Sequence, residues 1–199
     1  GGPGGSAERE TSRPDGRRAR MKGRARRAET RASESASPVG KRVITVRSEG
    51  PEETIELGRS VGRCLAAGHV LCLTGSLGSG KTVFARGIVE GIRGDSKGVR
   101  SPSFTLVNEY PGPFLVHHVD LYRIASGEEI FELGLEEILD SDSSAVIVEW
   151  GEKLGDLAPA DRLAVRIEVQ GPESRRFRLQ AHGPRHVSVL CALSRERGS

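Results

Sequence analysis

The stretch Gly75-Ser-Leu-Gly-Ser-Gly-Lys-Thr82 decides how the rest of the chain is read. It satisfies G-x-x-x-x-G-K-[ST] at every fixed position, the pattern of a loop that wraps a phosphate. Its flanks agree. His69-Val-Leu-Cys-Leu-Thr74 is a short apolar run that reads as a buried strand, and Thr82 to Ile92 places Val83, Phe84, Ile88 and Ile92 at helical spacing. Strand, glycine bend and helix in that order bring backbone N–H groups and a helix N-terminus to one point, where their field favours an anion. Gly75, Leu77, Gly78, Ser79, Gly80, Lys81, Thr82 and Val83 are therefore the candidate nucleotide-binding set. Lys81 is placed to reach the outer phosphates as a point charge, and the Thr82 hydroxyl to sit on Mg²⁺.

Working outward, the same alternation of strand and helix continues. Val43 to Val46 reads as a strand and Glu52 to Ala67 as a helix with Ile55, Leu57, Val61 and Leu65 on its core face. Beyond the loop helix, Phe104 to Tyr110 and Phe114 to Val119 form a hairpin around Pro111-Gly-Pro113. Glu128 to Leu139 has helical spacing, Ala145 to Val148 is an apolar strand, and Leu163 to Val169 pairs with Arg176 to Leu179 across Gly171-Pro-Glu. The last stretch, His182 to Ser199, offers only a short strand at Val187 to Leu190. Strands and helices alternating around a phosphate loop imply an α/β, three-layer P-loop NTPase-like sandwich, its central sheet mixed because of the hairpins.

A phosphate loop needs an acid to hold its metal, and such an acid ends a buried strand. Two segments qualify: Phe114-Leu-Val-His-His-Val-Asp120 and Val146-Ile-Val-Glu149. Both deliver a carboxylate to the C-terminal edge of the sheet, where open α/β sheets bind ligands. One acid can hold the metal and the other can orient or deprotonate a water, and spacing alone does not assign the two roles. Between loop and acids lies Arg100-Ser-Pro-Ser-Phe-Thr-Leu-Val107, where Ser103 or Thr105 is positioned to sense the terminal phosphate. Equally, the segment reads as a Ser-Pro turn entering a strand.

Composition sets the outer limits. At 199 residues and 36% hydrophobic, the chain supports one main domain with an appendage. Up to Arg42 there are twelve Lys/Arg against five Asp/Glu, whereas the remainder holds eighteen against twenty-two. Residues 1–41 are thus expected to form a disordered basic tail, too poor in large apolar side chains to order itself, ahead of a domain over 42–199. The run Arg17 to Arg27 suits RNA phosphates or is a plain solvated extension. Met21, the sole methionine, is a candidate start. Cys64, Cys72 and Cys191 lack metal-site spacing and read as reduced thiols of a cytoplasmic protein. No run is long and apolar enough for a membrane span.

Gly75 to Thr82, Ser101-Pro-Ser-Phe-Thr105-Leu-Val107, His118-Val-Asp120-Leu-Tyr-Arg123 and Val148-Glu149-Trp150 occur in the order and spacing of the TsaE (YjeE) family, which the chain resembles from Val43 to Leu179. The resemblance implies an Mg-dependent ATPase that supports formation of N6-threonylcarbamoyladenosine at position 37 of ANN-decoding tRNAs, acting on a TsaD–TsaB pair. Carried over, Lys81 and the loop amides hold the phosphates of ATP, and Thr82 and Glu149 coordinate Mg²⁺. Asp120 and Thr105 belong to the hydrolysis and switch machinery, Thr54 approaches the base, and Trp150 neighbours the site. From the residues alone Trp150 reads equally as a packing residue, and His117 and His118 as structural. Contact with tRNA is implied only through the partner pair, with no counterpart for the basic tail.

Two other classes share the loop. A P-loop small-molecule kinase requires an acceptor pocket and an arginine-bearing lid, for which Arg86, Arg93 and Arg100 are the available clamps. A nucleotide-gated binding module uses ATP to order a docking surface without turnover.

Overall fold

The computed structural model describes residues 41–198 apart from 97, 101, 103 and 104, together with Gly1, Ser35 and Ala36. The predicted tail therefore lies outside the described residues, apart from Gly1, the two-residue strand β1 (Ser35–Ala36) and Lys41, which opens the next strand instead of ending the tail. In chain order there follow β2 (Lys41–Ser48), α1 (Pro51–Arg63), β3 (Val70–Thr74), α2 (Lys81–Arg93), β4 (Val107–Tyr110) and β5 (Leu115–Asp120). After these come α3 (Gly127–Glu132), α4 (Leu135–Leu139), β6 (Ser144–Glu149), a 3₁₀ segment (Gly151–Leu157), β7 (Arg162–Val169), β8 (Arg175–His182) and α5 (Pro184–Gly198).

Alternation along the central strands builds the layers. Leu71 and Leu73 of β3 and Ile147 of β6 face one way, into a core with Leu57, Val61, Phe84 and Ile88 of α1 and α2 and Val189, Leu190 and Leu193 of α5. Val70, Cys72, Val146 and Val148 face the other way, into a smaller core with Ile130, Leu135, Leu139 and Leu154. Successive strand side chains point to opposite faces, so an all-apolar strand must be covered on both. That two-sided burial is the three-layer sandwich the sequence leads one to expect. Cys72, sealed within, has its thiol pushed up to about 11 by burial.

The eight described strands lie in the order β1-β2-β8-β7-β3-β6-β5-β4. β7, β3, β6 and β5 are mutually parallel, and antiparallel strands extend the sheet at both sides, including the hairpins β4–β5 and β7–β8. The sheet is mixed for the reason expected.

Two helical readings need correction. The run Glu128 to Leu139 is two helices, because Gly134 sits at φ +62 and breaks the hydrogen-bond ladder between α3 and α4. The end of the chain is α5, a helix over Val187 to Leu190 rather than a strand. Tertiary anchoring at its first turn decides this. His186 accepts a hydrogen bond from the Val70 N–H through Nε2 (3.1 Å), while its Nδ1 lies 2.6 Å from Asp161 Oδ1. Arg185 reaches the Gly68 carbonyl at 2.8 Å.

α1 and α2 approach unusually closely. A Cβ at Gly58 would lie 2.5 Å from the Phe84 carbonyl oxygen, one at Gly62 2.2 Å from that of Ile88, and one at Gly87 2.3 Å from that of Ile55. Only hydrogen fits at these crossings, so the glycines set how deeply α2, and with it the phosphate loop, seats on the sheet.

Candidate functional site

The loop leaves β3 at Gly75, whose φ of +147 no ordinary side chain favours and whose Cβ would fall 2.5 Å from the Ile167 carbonyl oxygen. It re-enters helical geometry at Gly80, which caps α2 without any side-chain hydrogen bond, and the first turn of α2 carries no acid. The first N–H groups of a helix have no partner within it, so an uncapped 13-residue helix presents a positive end to whatever lies before it.

That end opens on a cavity of about 420 Å³ lined by Leu77, Gly78, Gly80, Lys81, Thr82, Val83, Asp120, Tyr122, Arg123, Glu149 and Trp150. The volume is that of a small-molecule site. Lys81 is buried within it and donates to the carbonyls of Gly75 and Ser76, both at 2.9 Å. Its ammonium also lies 3.7 Å from the centroid of the Trp150 ring, a cation–π contact. Burial lowers the lysine pKa, against the pull of Glu149, Glu152 and Asp120. A charged group held at a desolvation cost inside a polar cavity is poised for an anion.

The acids arrive as expected. β5 and β6 run parallel with Asp120 in register with Glu149, so the two carboxylate residues stand abreast at the same sheet edge. Glu149 Oε2 accepts from the Thr82 hydroxyl at 2.8 Å, and Glu149 Oε1 lies 2.8 Å from His118 Nε2. Asp120 Oδ1 accepts from the Tyr122 N–H at 3.0 Å. After Glu149 the chain turns sharply through Trp150, a non-glycine residue at φ +60, which stacks at 5.2 Å on Tyr122. Bulky residues in that conformation persist only where their surroundings enforce it, and such strain concentrates at functional sites.

Among the described residues no cluster of three His, Cys, Asp or Glu side chains is arranged to hold a metal ion. The hydroxyl of Thr82 and the carboxylate of Glu149, with that of Asp120 abreast, are a hard-oxygen set. This fits Mg²⁺, which takes one or two protein carboxylates and completes its shell with water and substrate phosphates.

The structure brings Leu77, Gly78, Gly80, Lys81, Thr82, Val83, Asp120 and Glu149 together around one cavity. Ser79 is fully buried behind them; its carbonyl accepts from Arg175 Nε at 3.0 Å, and its hydroxyl has no partner among the described residues. Two predicted residues stand apart. Thr105 is exposed and donates to Asn108 Oδ1 at 2.7 Å instead of lining the cavity; Ser103, its alternative, lies outside the described residues. Thr54 is buried at the start of α1, bonded to Ser48 Oγ (2.9 Å) and the Gly50 carbonyl (3.0 Å), where its role is to tie the helix to β2. Sequence reasoning missed His118, set aside as structural, although it shares a strand face with Asp120 two positions on. That spacing was the available signal.

Comparison with known proteins agrees with this geometry. The family model described as "Threonylcarbamoyl adenosine biosynthesis protein TsaE" matches residues 48–177. A Bacillus subtilis protein described as a tRNA threonylcarbamoyladenosine biosynthesis protein TsaE is 35% identical over 150 residues, covering 75% of this chain and 92% of the relative. A Streptomyces coelicolor protein of the same description is 42% identical over 118 residues, covering 57% of this chain and 77% of the relative. The crystal structure of Bacillus subtilis YdiB superposes with a TM-score of 0.65 at 30% identity, over 79% of this chain and 97% of that one. Motif order, sheet topology and these matches agree: the chain belongs to the TsaE family of threonylcarbamoyladenosine biosynthesis proteins.

Proposed function

We propose that this TsaE-family protein is an Mg-dependent ATPase that sustains threonylcarbamoylation of adenosine 37 in ANN-decoding tRNAs by acting on a TsaD–TsaB-type complex in the cytoplasm. The observation that carries the reading is the 2.8 Å contact between Thr82 Oγ1 and Glu149 Oε2 beside the buried ammonium of Lys81. It joins a helix-start hydroxyl to a strand-end carboxylate at the mouth of a cavity whose other wall is the phosphate loop. ATP with Mg²⁺ supplies the phosphoanhydride bond and the charge that polarises it.

The chain's own residues do the rest. Lys81 exchanges the Gly75 and Ser76 carbonyls for phosphate oxygens and neutralises them. Thr82 and Glu149 would give oxygen ligands to the cation, and His118 fixes the rotamer of Glu149 from behind. Asp120, abreast of Glu149, orients the attacking water and accepts its proton. Trp150 and Tyr122 wall the cavity, keeping water from approaching along that side.

The test is multiple-turnover modification of an unmodified ANN-decoding transcript by a TsaD–TsaB pair, with phosphate release followed in parallel. Wild-type protein should sustain many cycles, and Lys81→Ala none beyond the first. Sustained modification with Lys81→Ala would reject the reading. Transfer of phosphate to a metabolite instead of water would replace it with the kinase alternative.

A further inference from the structure

The strands β2, β8 and β7 have one face in the core and the other turned outward. On the core side Ile44, Phe177, Leu179, Leu163, Val165 and Ile167 pack against helices. The outward positions are dominated by arginine: Arg47, Arg166, Arg176 and Arg178 are exposed, and Arg162 lies half-buried at the far end. Register sets them in rows. Arg47 pairs with Arg176 across β2–β8, and Arg178 pairs with Arg166 across β8–β7. Like charges directly opposite one another on antiparallel strands destabilise a sheet. Glu168 is the one carboxylate in these rows, and Arg166 (3.2 Å) and Arg176 share it. Glu49, past the end of β2, takes Arg47 at 2.6 Å. Four exposed guanidinium groups thus stand against two carboxylates, Arg162 being taken up by the Pro159 carbonyl at 2.7 Å, and the Arg166–Arg178 pair has only the shared Glu168 to offset it.

We propose that this arginine-bearing sheet face is a docking surface for RNA, gripping its phosphate backbone without reading base sequence. A protein partner suits the face poorly. Specific protein interfaces centre on a desolvated apolar or aromatic patch, and here Val43 and Ala164, both only half-buried, are the apolar residues in these rows. Phe, Tyr and Trp, which stack bases in sequence-reading RNA sheets, are absent from the rows, and the one ring there, His182, is half-buried at the far end beside Arg162. What remains is a grid of guanidinium forks, the donor geometry best matched to phosphate oxygens. None of these arginines lines the nucleotide cavity, although Arg166 pairs with Thr74 where the phosphate loop begins, and the inference stands without the proposed ATPase role.

The experiment uses the full-length chain and an unmodified tRNA transcript, with affinity measured by fluorescence anisotropy between ~50 and ~200 mM salt. The double variant Arg166→Gln/Arg178→Gln should bind about tenfold more weakly and reduce the slope of log affinity against log salt by about 1 to 2. Its thermal midpoint should stay the same or rise, because a repulsive pair has gone. Arg166→Lys/Arg178→Lys should keep the salt slope. Affinity and slope unchanged in the glutamine variant would overturn the proposal, as would loss of binding accompanied by a fallen midpoint that the lysine variant shares. So would unchanged RNA binding alongside lost binding of a TsaD–TsaB pair, which would give the face to a protein.

Discussion

His118 Nε2 lies 2.8 Å from Glu149 Oε1, and both side chains are buried to within 2% of full enclosure. An imidazole so placed leaves Glu149 one orientation, with its other oxygen directed at Thr82. Removing it frees the carboxylate without deleting it. His118→Ala should therefore raise the Mg²⁺ concentration needed for half-maximal nucleotide binding by about 10-fold or more, the usual cost of losing a residue that orients a metal ligand. Titration of Mg²⁺ against a fluorescent ATP analogue measures this. An unchanged Mg²⁺ requirement would reduce His118 to packing.

Lys81 gives opposite outcomes in two measurements. Its pKa is lowered, chiefly by burial, so enclosing the ammonium there costs the empty protein stability. Lys81→Met should leave the thermal midpoint of the nucleotide-free protein unchanged or higher, while abolishing the rise in midpoint that ATP and Mg²⁺ confer on wild type. Thermal scans with and without ligand separate the two effects.

Gly87→Ala tests the helix crossing. Its methyl group would sit 2.3 Å from the Ile55 carbonyl oxygen, so α1 and α2 must part. Overpacking of this kind costs about 1–3 kcal/mol, which corresponds to a fall in midpoint of roughly 2–12 °C for a domain of this size. Gly127→Ala is the control, because a Cβ there meets nothing within 4 Å. It should be neutral or slightly stabilising in a helix.

Acid should loosen the seat of α5. Burial drives the His69 pKa from 6.5 down to about 4, helped by His186 and Arg185 and opposed by Asp161. His186 is also lowered, again by burial first, against its bond to Asp161. A histidine with a depressed folded pKa binds its proton more readily once unfolded. Its contribution is complete above the unfolded pKa and is lost as pH falls from 6.5 towards 4. Asp161 is lowered by its bond with His186 despite partial burial, which adds a loss at more acid pH. Thermal midpoints across pH 4 to 7 should fall on acidification, and His69→Gln should flatten the curve.

Much of this architecture is legible in residue order because the informative signals are local. Gly75 to Thr82 carries its geometry in its own glycines, and β3 and β6 declare two-sided burial by their apolar interiors, Val70 to Leu73 and Ala145 to Val148. The hairpins announce themselves through Pro111-Gly-Pro113 and Gly171-Pro-Glu. What escapes detection depends on distant partners. α5 is secured by Val70 and Asp161, which no window around Val187 contains. The histidine behind Glu149 becomes visible only once β5 and β6 are laid side by side. The glycines of α1 and α2 read as weak helix formers until their spacing is matched between the two helices. Thr105 and Thr54 do not line the cavity, and order along the chain alone does not tell where their side chains lie.

The order in which the strands pair has a consequence during synthesis. β3 is completed by Val146 on one side and Leu163 on the other, and Val43 waits for Gln180. A ribosome making this chain must finish nearly all of it before the phosphate loop has a rigid floor, since pairings so distant in sequence form slowly and late. Until then the first strands are bare edges, the form of a nascent polypeptide most prone to stick to its neighbours. Premature termination anywhere before β8 would release a fragment in which β2 and β7 lack the strand that joins them.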